Sequence, residues 1–255
     1  MVYQDRPIAE RIERAAAMGL AAVEFWSWRD KRLEEIAAAA EANGLEVAAF
    51  SGNREYAPVD SRHHDDLTRE VSAAIQAALR LRCPNLILLT DTLLEDGRSA
   101  QADGEAAGQK RANVVAALKR LAPIAEQNGV CLLLEPLNTK VDHRGCYLNS
   151  SAAAMEILAE VNSPAVKLLY DVYHMRMMGE AAPQRLRECA ARLGHVHVAG
   201  APGRGGLDEE YAAVAESLRQ SGYHEYVGLE FAPEGNTDEA IRSALKTFSG
   251  SFHRK

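Results

Sequence analysis

The chain has 255 residues, 47% of them hydrophobic and 25% charged, a globular composition long enough to close one α/β core and too short for a second large one, so residues 1–255 read as a single domain. A formal charge of −7 with scattered Lys and Arg offers no basic surface for a phosphate backbone or an anionic membrane, so neither nucleic acid nor membrane is an expected partner. The cysteines at 83, 131, 146 and 189 show no CxxC spacing and read as reduced structural residues, and the early charges of Met1–Gly19 rule out a signal-peptide core or a span there, which makes the expected location cytoplasmic.

Met1–Tyr3 begins a strand that it is too short to complete, and Pro7–Met18 then has helical period. From Leu20 onward, short apolar runs alternate with Ala-, Glu- and Arg-rich helical stretches. The strand-like runs are Ala21–Trp26, Leu45–Phe50, Asn85–Thr90, Val130–Glu135, Val166–Asp171, His195–Ala199 and Tyr226–Glu230. Between and after them lie helical stretches at Asp30–Ala42, Arg62–Leu81, Glu105–Gln127, Ser150–Val161, Ala182–Arg192, Asp208–Gln220 and Thr237–Phe248. Eight helices with seven full strands predict an α/β fold, a (β/α)8 TIM barrel whose first strand is truncated or missing, rather than an open doubly wound sheet. A stunted first strand would leave unpaired edges on the two strands that flank it. Asp91–Gly104 and Pro136–Asn149 are long for βα loops and predict a cover over a site at the barrel mouth.

In such a barrel, chemistry sits at the C-terminal ends of the strands. Four consecutive strand-like runs close on groups that bind metals: Glu135 after CLLL, Asp171 after KLLY, His197 in HVHVAG and Glu230 after YVGL. Any single acidic residue there marks no more than where a strand meets solvent, since about one residue in six is Asp, Glu or His. Four in adjacent strands form a plausible metal cage. Three carboxylates and one imidazole suit Mn²⁺ or Mg²⁺, with Co²⁺ as a third choice, and leave positions open for substrate oxygens. His195, two residues before His197, faces the same way and reads as a hydrogen-bonded core histidine. His174, three residues past Asp171, stands within reach of a substrate oxygen, and Arg204 in the turn GAPGRGG could hold an anionic group.

The runs EPLNTKVDHRGCYLNS, VKLLYDVYHMRMM, HVHVAGAPGRG and GLEF together resemble the hydroxypyruvate isomerase group of the xylose-isomerase-like barrel superfamily, over nearly the whole chain. The pairing of Glu135-Pro136-Leu137-Asn138 with Tyr170-Asp171-Val172-Tyr173-His174 carries most of the likeness. The resemblance implies one divalent metal held by Glu135, Asp171, His197 and Glu230. It further implies that the two glutamates double as the acid–base pair and that His174 and Arg204 lie near a small hydroxy-carbonyl substrate. The implied reaction interconverts hydroxypyruvate and tartronate semialdehyde (2-hydroxy-3-oxopropanoate). At His197 the isomerases commonly carry Gln and the related ketose 3-epimerases carry His, so a tagatose- or psicose-type epimerase is the alternative. A non-catalytic sugar- or metal-binding barrel is the second. An apurinic endonuclease would need a larger histidine cluster and a basic face, which eight histidines and an acidic balance argue against. A second copy of the chain, in a homo-oligomer, is the one macromolecular partner allowed for.

Overall fold

In the computed structural model, which describes residues 2–248, apolar runs form short parallel strands and the periodic stretches between them form helices. The strands are β1 (Ala22–Phe25), β2 (Glu46–Ser51), β3 (Asn85–Leu88), β4 (Cys131–Leu134), β5 (Val166–Asp171), β6 (Leu193–Val198) and β7 (Val227–Leu229). They pair in sequence order, every neighbouring pair parallel, as the wall of a barrel. The helices are α1 (Ile8–Ala17), α2 (Leu33–Ala42), α3 (His64–Leu81), α4 (Ala107–Asn128), α5 (Ser151–Val161), α6 (Val172–Met178), α7 (Ala182–Cys189), α8 (Tyr211–Gln220) and α9 (Thr237–Phe248).

Alternate strand residues face opposite ways. Phe50, Leu86, Leu88, Leu132, Leu134, Leu168, Val196 and Val198 join the large core between strands and helices, while Ala49, Ile87, Leu133 and Leu169 fill a small inner layer. This alternation aims the next inward positions, at and beyond the strand ends, into the mouth. One helix, α6, is not among the eight expected. Its sequence VYHMRMM opens on a β-branched and an aromatic residue and is too short to show a period. What starts it is the Asp171 carboxylate, whose Oδ1 accepts from the His174 N–H at 3.1 Å.

Val2 and Tyr3 form no strand; Tyr3 has φ of 54° and its hydroxyl donates to Asp238 Oδ1 at 2.6 Å. Among the described residues the sheet therefore has seven strands, and the end strands β1 and β7 carry no ladder between them, as a stunted first strand requires. A cavity of about 1230 Å³ lies along this seam, lined by β1, β7, α1 and α9, and reaches inward to Glu24, His197 and Glu230. No helix among the described residues is long and apolar enough to cross a membrane.

The two long loops are tied to one another. Buried Asp91 accepts from the Tyr147 N–H at 2.9 Å and the Ser99 hydroxyl at 2.6 Å, and the Ser99 N–H donates to the Arg144 carbonyl at 2.9 Å. Gly145, with φ of +84°, lies so close to Ala102 that a side chain there would overlap it.

Candidate active site

The strand ends bring all six residues singled out in the sequence to one place. Glu135 follows β4, its N–H donating to the Leu88 carbonyl at 3.1 Å. Asp171 ends β5, His197 stands beside it in β6, and Glu230 follows β7. Carboxylate and imidazole atoms of Glu135, Asp171, His174 and Glu230 lie within 4.8 Å of one another. His197 Nδ1 is 3.9 Å from Glu135 Oε1 and 3.7 Å from Glu230 Oε2. Arg204, held at φ of 55° in the turn after β6, reaches Glu230 Oε2 and His174 Nε2, each at 2.8 Å.

Packing three carboxylates this closely drives their proton affinities apart. Burial, reinforced by Glu230 and Asp171, pushes Glu135 up to about 8 against the pull of His197. Asp171 rises to about 6 through burial and Glu230. Burial would also raise Glu230, but His197 and Arg204 outweigh it and hold that group down at about 2. For His197, burial is outweighed by Glu24, Glu230 and Glu135, which lift it to about 10.

Among the described residues, the buried side-chain polar atoms without a hydrogen-bond partner are Asp171 Oδ2, His195 Nδ1 and His197 Nδ1. Two of these three belong to the cluster. Asp171 spends one oxygen on the α6 cap and leaves the other free; His197 spends Nε2 on a carboxylate and leaves Nδ1 free. Hard oxygen donors with one imidazole, two atoms of the set unsatisfied, fit a divalent cation, and Glu135, Asp171, His197 and Glu230 are the residues that could hold it. Such a charge would reverse the repulsion that raises Glu135 and Asp171.

His174 is buried, and burial, Arg204 and His143 push its pKa well down, so the ring is neutral. Its Nδ1 takes the Asn138 backbone N–H at 3.2 Å and the Asn138 side-chain amide at 2.8 Å. A backbone N–H can only donate, so Nδ1 is the acceptor and Nε2 carries the proton. That proton faces the Arg204 guanidinium, which is also a donor. Two donors thus meet at one point of the mouth, and Asp142 flanks them, 3.6 Å from Arg204 Nε.

Two further residues at the site were not singled out in the sequence. Glu24 lies in mid-strand in β1, where Val23 and Phe25 pack outward against the helices and leave it facing in. Its Oε1 is 3.0 Å from His195 Nε2 and its Oε2 is 2.9 Å from His197 Nε2, and both histidines hold the carboxyl well below the usual range despite its burial. Trp26, 51% exposed at the rim, donates its indole N–H to Glu230 Oε1 at 2.8 Å. The signal for Glu24 was the alternation itself, an acid between two apolar strand residues; for Trp26 it was the place as last residue of the run Ala21–Trp26.

The sequence profile described as Xylose isomerase-like TIM barrel matches residues 12–248. The chain is 27% identical to the 2-oxo-tetronate isomerase of Cupriavidus necator, over 98% of this chain and 96% of that one. It is 26% identical to the hydroxypyruvate isomerase of Escherichia coli strain K12, over 95% and 94% of the two chains. A solved structure from Brucella melitensis described as an AP endonuclease of family 2 superposes with a TM-score of 0.83 at 24% identity, covering 96% of this chain and 95% of that one, and shares the fold.

Proposed function

Because the chain belongs to the xylose isomerase-like TIM barrel family, we propose that it is a metal-dependent isomerase that interconverts hydroxypyruvate and tartronate semialdehyde, with Glu135 and Glu230 moving the proton between adjacent carbons. The observation that carries this reading is the cluster of two glutamates with unpartnered Asp171 Oδ2 and His197 Nδ1 beside them. Isomerases by name, similar over almost the full length of the chain, support the reaction class.

One divalent cation, Mn²⁺ or Mg²⁺ with Co²⁺ as a third choice, would be held by Glu135, Asp171, His197 and Glu230 and would supply Lewis-acid polarisation of a carbonyl and countercharge for the oxyanion. The rest is the work of the chain. Glu135 and Glu230 approach from the ends of β4 and β7, with the His197 ring within 4 Å of both. One carboxylate takes the proton from the hydroxymethyl carbon, the hydroxyl proton on that carbon's oxygen passes to the neighbouring oxygen, and the enediolate is protonated on the neighbouring carbon; in the reverse direction the roles exchange.

The His174 Nε2–H and the Arg204 guanidinium, 2.8 Å apart, put two donors side by side at the mouth, where a carboxylate oxygen in front of them could accept from both. This favours an anionic 2-oxo acid over a neutral ketose, in keeping with the substrates that the two relatives are named for. The imidazole at position 197 favours a second reading, a ketose 3-epimerase in which the same glutamates work on opposite faces of one carbon. Incubation of the Mg²⁺-loaded protein in deuterated water, followed by NMR, separates the two. Deuterium in tartronate semialdehyde supports the isomerase. Deuterium at C3 of an epimerised fructose or tagatose, with hydroxypyruvate inert, moves the assignment to the epimerase. Inertness towards all of them overturns both.

A further inference from the structure

We propose that Glu24 is a positioning residue for the candidate metal centre: from inside β1 it grips His197 Nε2 and so turns Nδ1 toward Glu135 and Glu230. The inference rests on the reading of His197 as a ligand and adds the element that makes it one. An ionised carboxylate can only accept, so the 2.9 Å contact from Glu24 Oε2 places a proton on Nε2. A neutral His197 must then carry its lone pair on Nδ1, the atom that faces the two glutamates and has no hydrogen-bond partner. The second carboxylate oxygen is fixed by His195 Nε2 at 3.0 Å, and the two imidazoles meet edge to face with centroids 5.0 Å apart, so Glu24 has little freedom to release the ring.

Three features of the backbone make room for this arrangement. Gly228, the β7 partner of His197, has no side chain where a Cβ would stand 2.7 Å from both Glu24 Oε1 and His197 Cδ2. The β1–β2 register shifts between Val23 and Glu24, and the β5–β6 register shifts between Leu168 and Leu169, opposite Leu193 and His195. Such irregularities re-aim side chains relative to an unbroken ladder, and here they fall immediately before Glu24 on one strand and His195 on the other. A carboxylate that orients a ligating imidazole in this way typically affects metal affinity by about 10- to 100-fold.

Mn²⁺ affinity, read by EPR of the free ion, tests the proposal in the wild type, Glu24→Gln and Gly228→Ala. A carboxamide cannot accept from both imidazoles, and the methyl group that Gly228→Ala adds must push Glu24 aside, so each variant is expected to bind Mn²⁺ about 10- to 100-fold more weakly. A folded Glu24→Gln protein with wild-type affinity overturns the inference. A long-range ¹H–¹⁵N spectrum of histidine-labelled wild type loaded with Mg²⁺ needs no variant. A proton on His197 Nε2 and none on Nδ1 supports the assignment, and the opposite tautomer sinks it. Absence of Mn²⁺ binding by the wild type would bring down the metal reading itself, and this inference with it.

Discussion

From β2 to β5 the barrel wall is held by unbroken neighbour-to-neighbour pairing around an apolar inner layer of Ala49, Ile87, Leu133 and Leu169. Across the seam from β7 to β1 there is no ladder among the described residues, and side chains reach over it: Glu24 to His195 and His197 of β6, and Trp26 to Glu230. Of the four residues that would hold a metal, His197 and Glu230 come from the strands nearest this open seam, and Glu135 and Asp171 close strands of the arc and face the same mouth. Folding free energy should therefore reside mainly in the arc, and chemistry in the mouth and along the seam.

The largest expected effect is on the chemistry. Glu135→Gln or Glu230→Gln should lower kcat by about 10²- to 10⁴-fold with an intact circular dichroism spectrum; full activity in either variant would remove the two-glutamate mechanism. The converse change lies in the arc. Leu133→Ala should cost about 2–5 kcal/mol of stability in urea titrations while leaving Mn²⁺ affinity nearly unchanged, and a loss of affinity without a loss of stability would dissolve the division between the two regions.

A smaller effect concerns pH. In the metal-free protein Glu135 and Asp171 are raised to about 8 and about 6, so the folded chain binds these protons more tightly than the unfolded chain. Stability from this source falls as pH rises from the ordinary carboxylate range through those values. His197, raised to about 10, acts with the same sign, its contribution complete below the ordinary histidine value and lost as pH climbs toward 10. Melting scans with and without Mn²⁺ should show the ion raising Tm more at pH 8.5 than at pH 5.5. Equal gains at both would argue that the carboxylate cluster does not receive it.

The strands were legible because apolar runs bounded by polar stretches report burial directly: β5 spans Val166–Asp171 as expected, and the others differ by one or two residues at an end. Glu135, Asp171 and Glu230 were legible for the same reason, since each closes such a run, and His197 stands one residue short of the end of its strand. Periodicity reports which face a residue occupies but not what stands opposite. Glu24 could be read as inward from Val23 and Phe25, yet its partners come from β6, more than 170 positions along the chain. The meeting of Arg204 with His174 depends on the turn Gly200–Gly206 folding back on itself, where Gly200 and Gly205 exchange backbone hydrogen bonds at 2.9 and 3.1 Å, a closure that glycine content alone does not specify. The helix α6 was hidden because a side-chain cap, not a pattern, starts it.

That cap makes the Asp171 carboxylate and the first turn of α6 one mechanical piece. One oxygen is the anchor of the helix that bears His174, and the other looks into the site. A load on the second oxygen is carried through the same rigid plane to the first, so the acid that would grasp the ion and the imidazole that would meet the substrate cannot be tuned separately. Replacing Asp171 should therefore both remove a ligand oxygen and loosen the turn that presents His174.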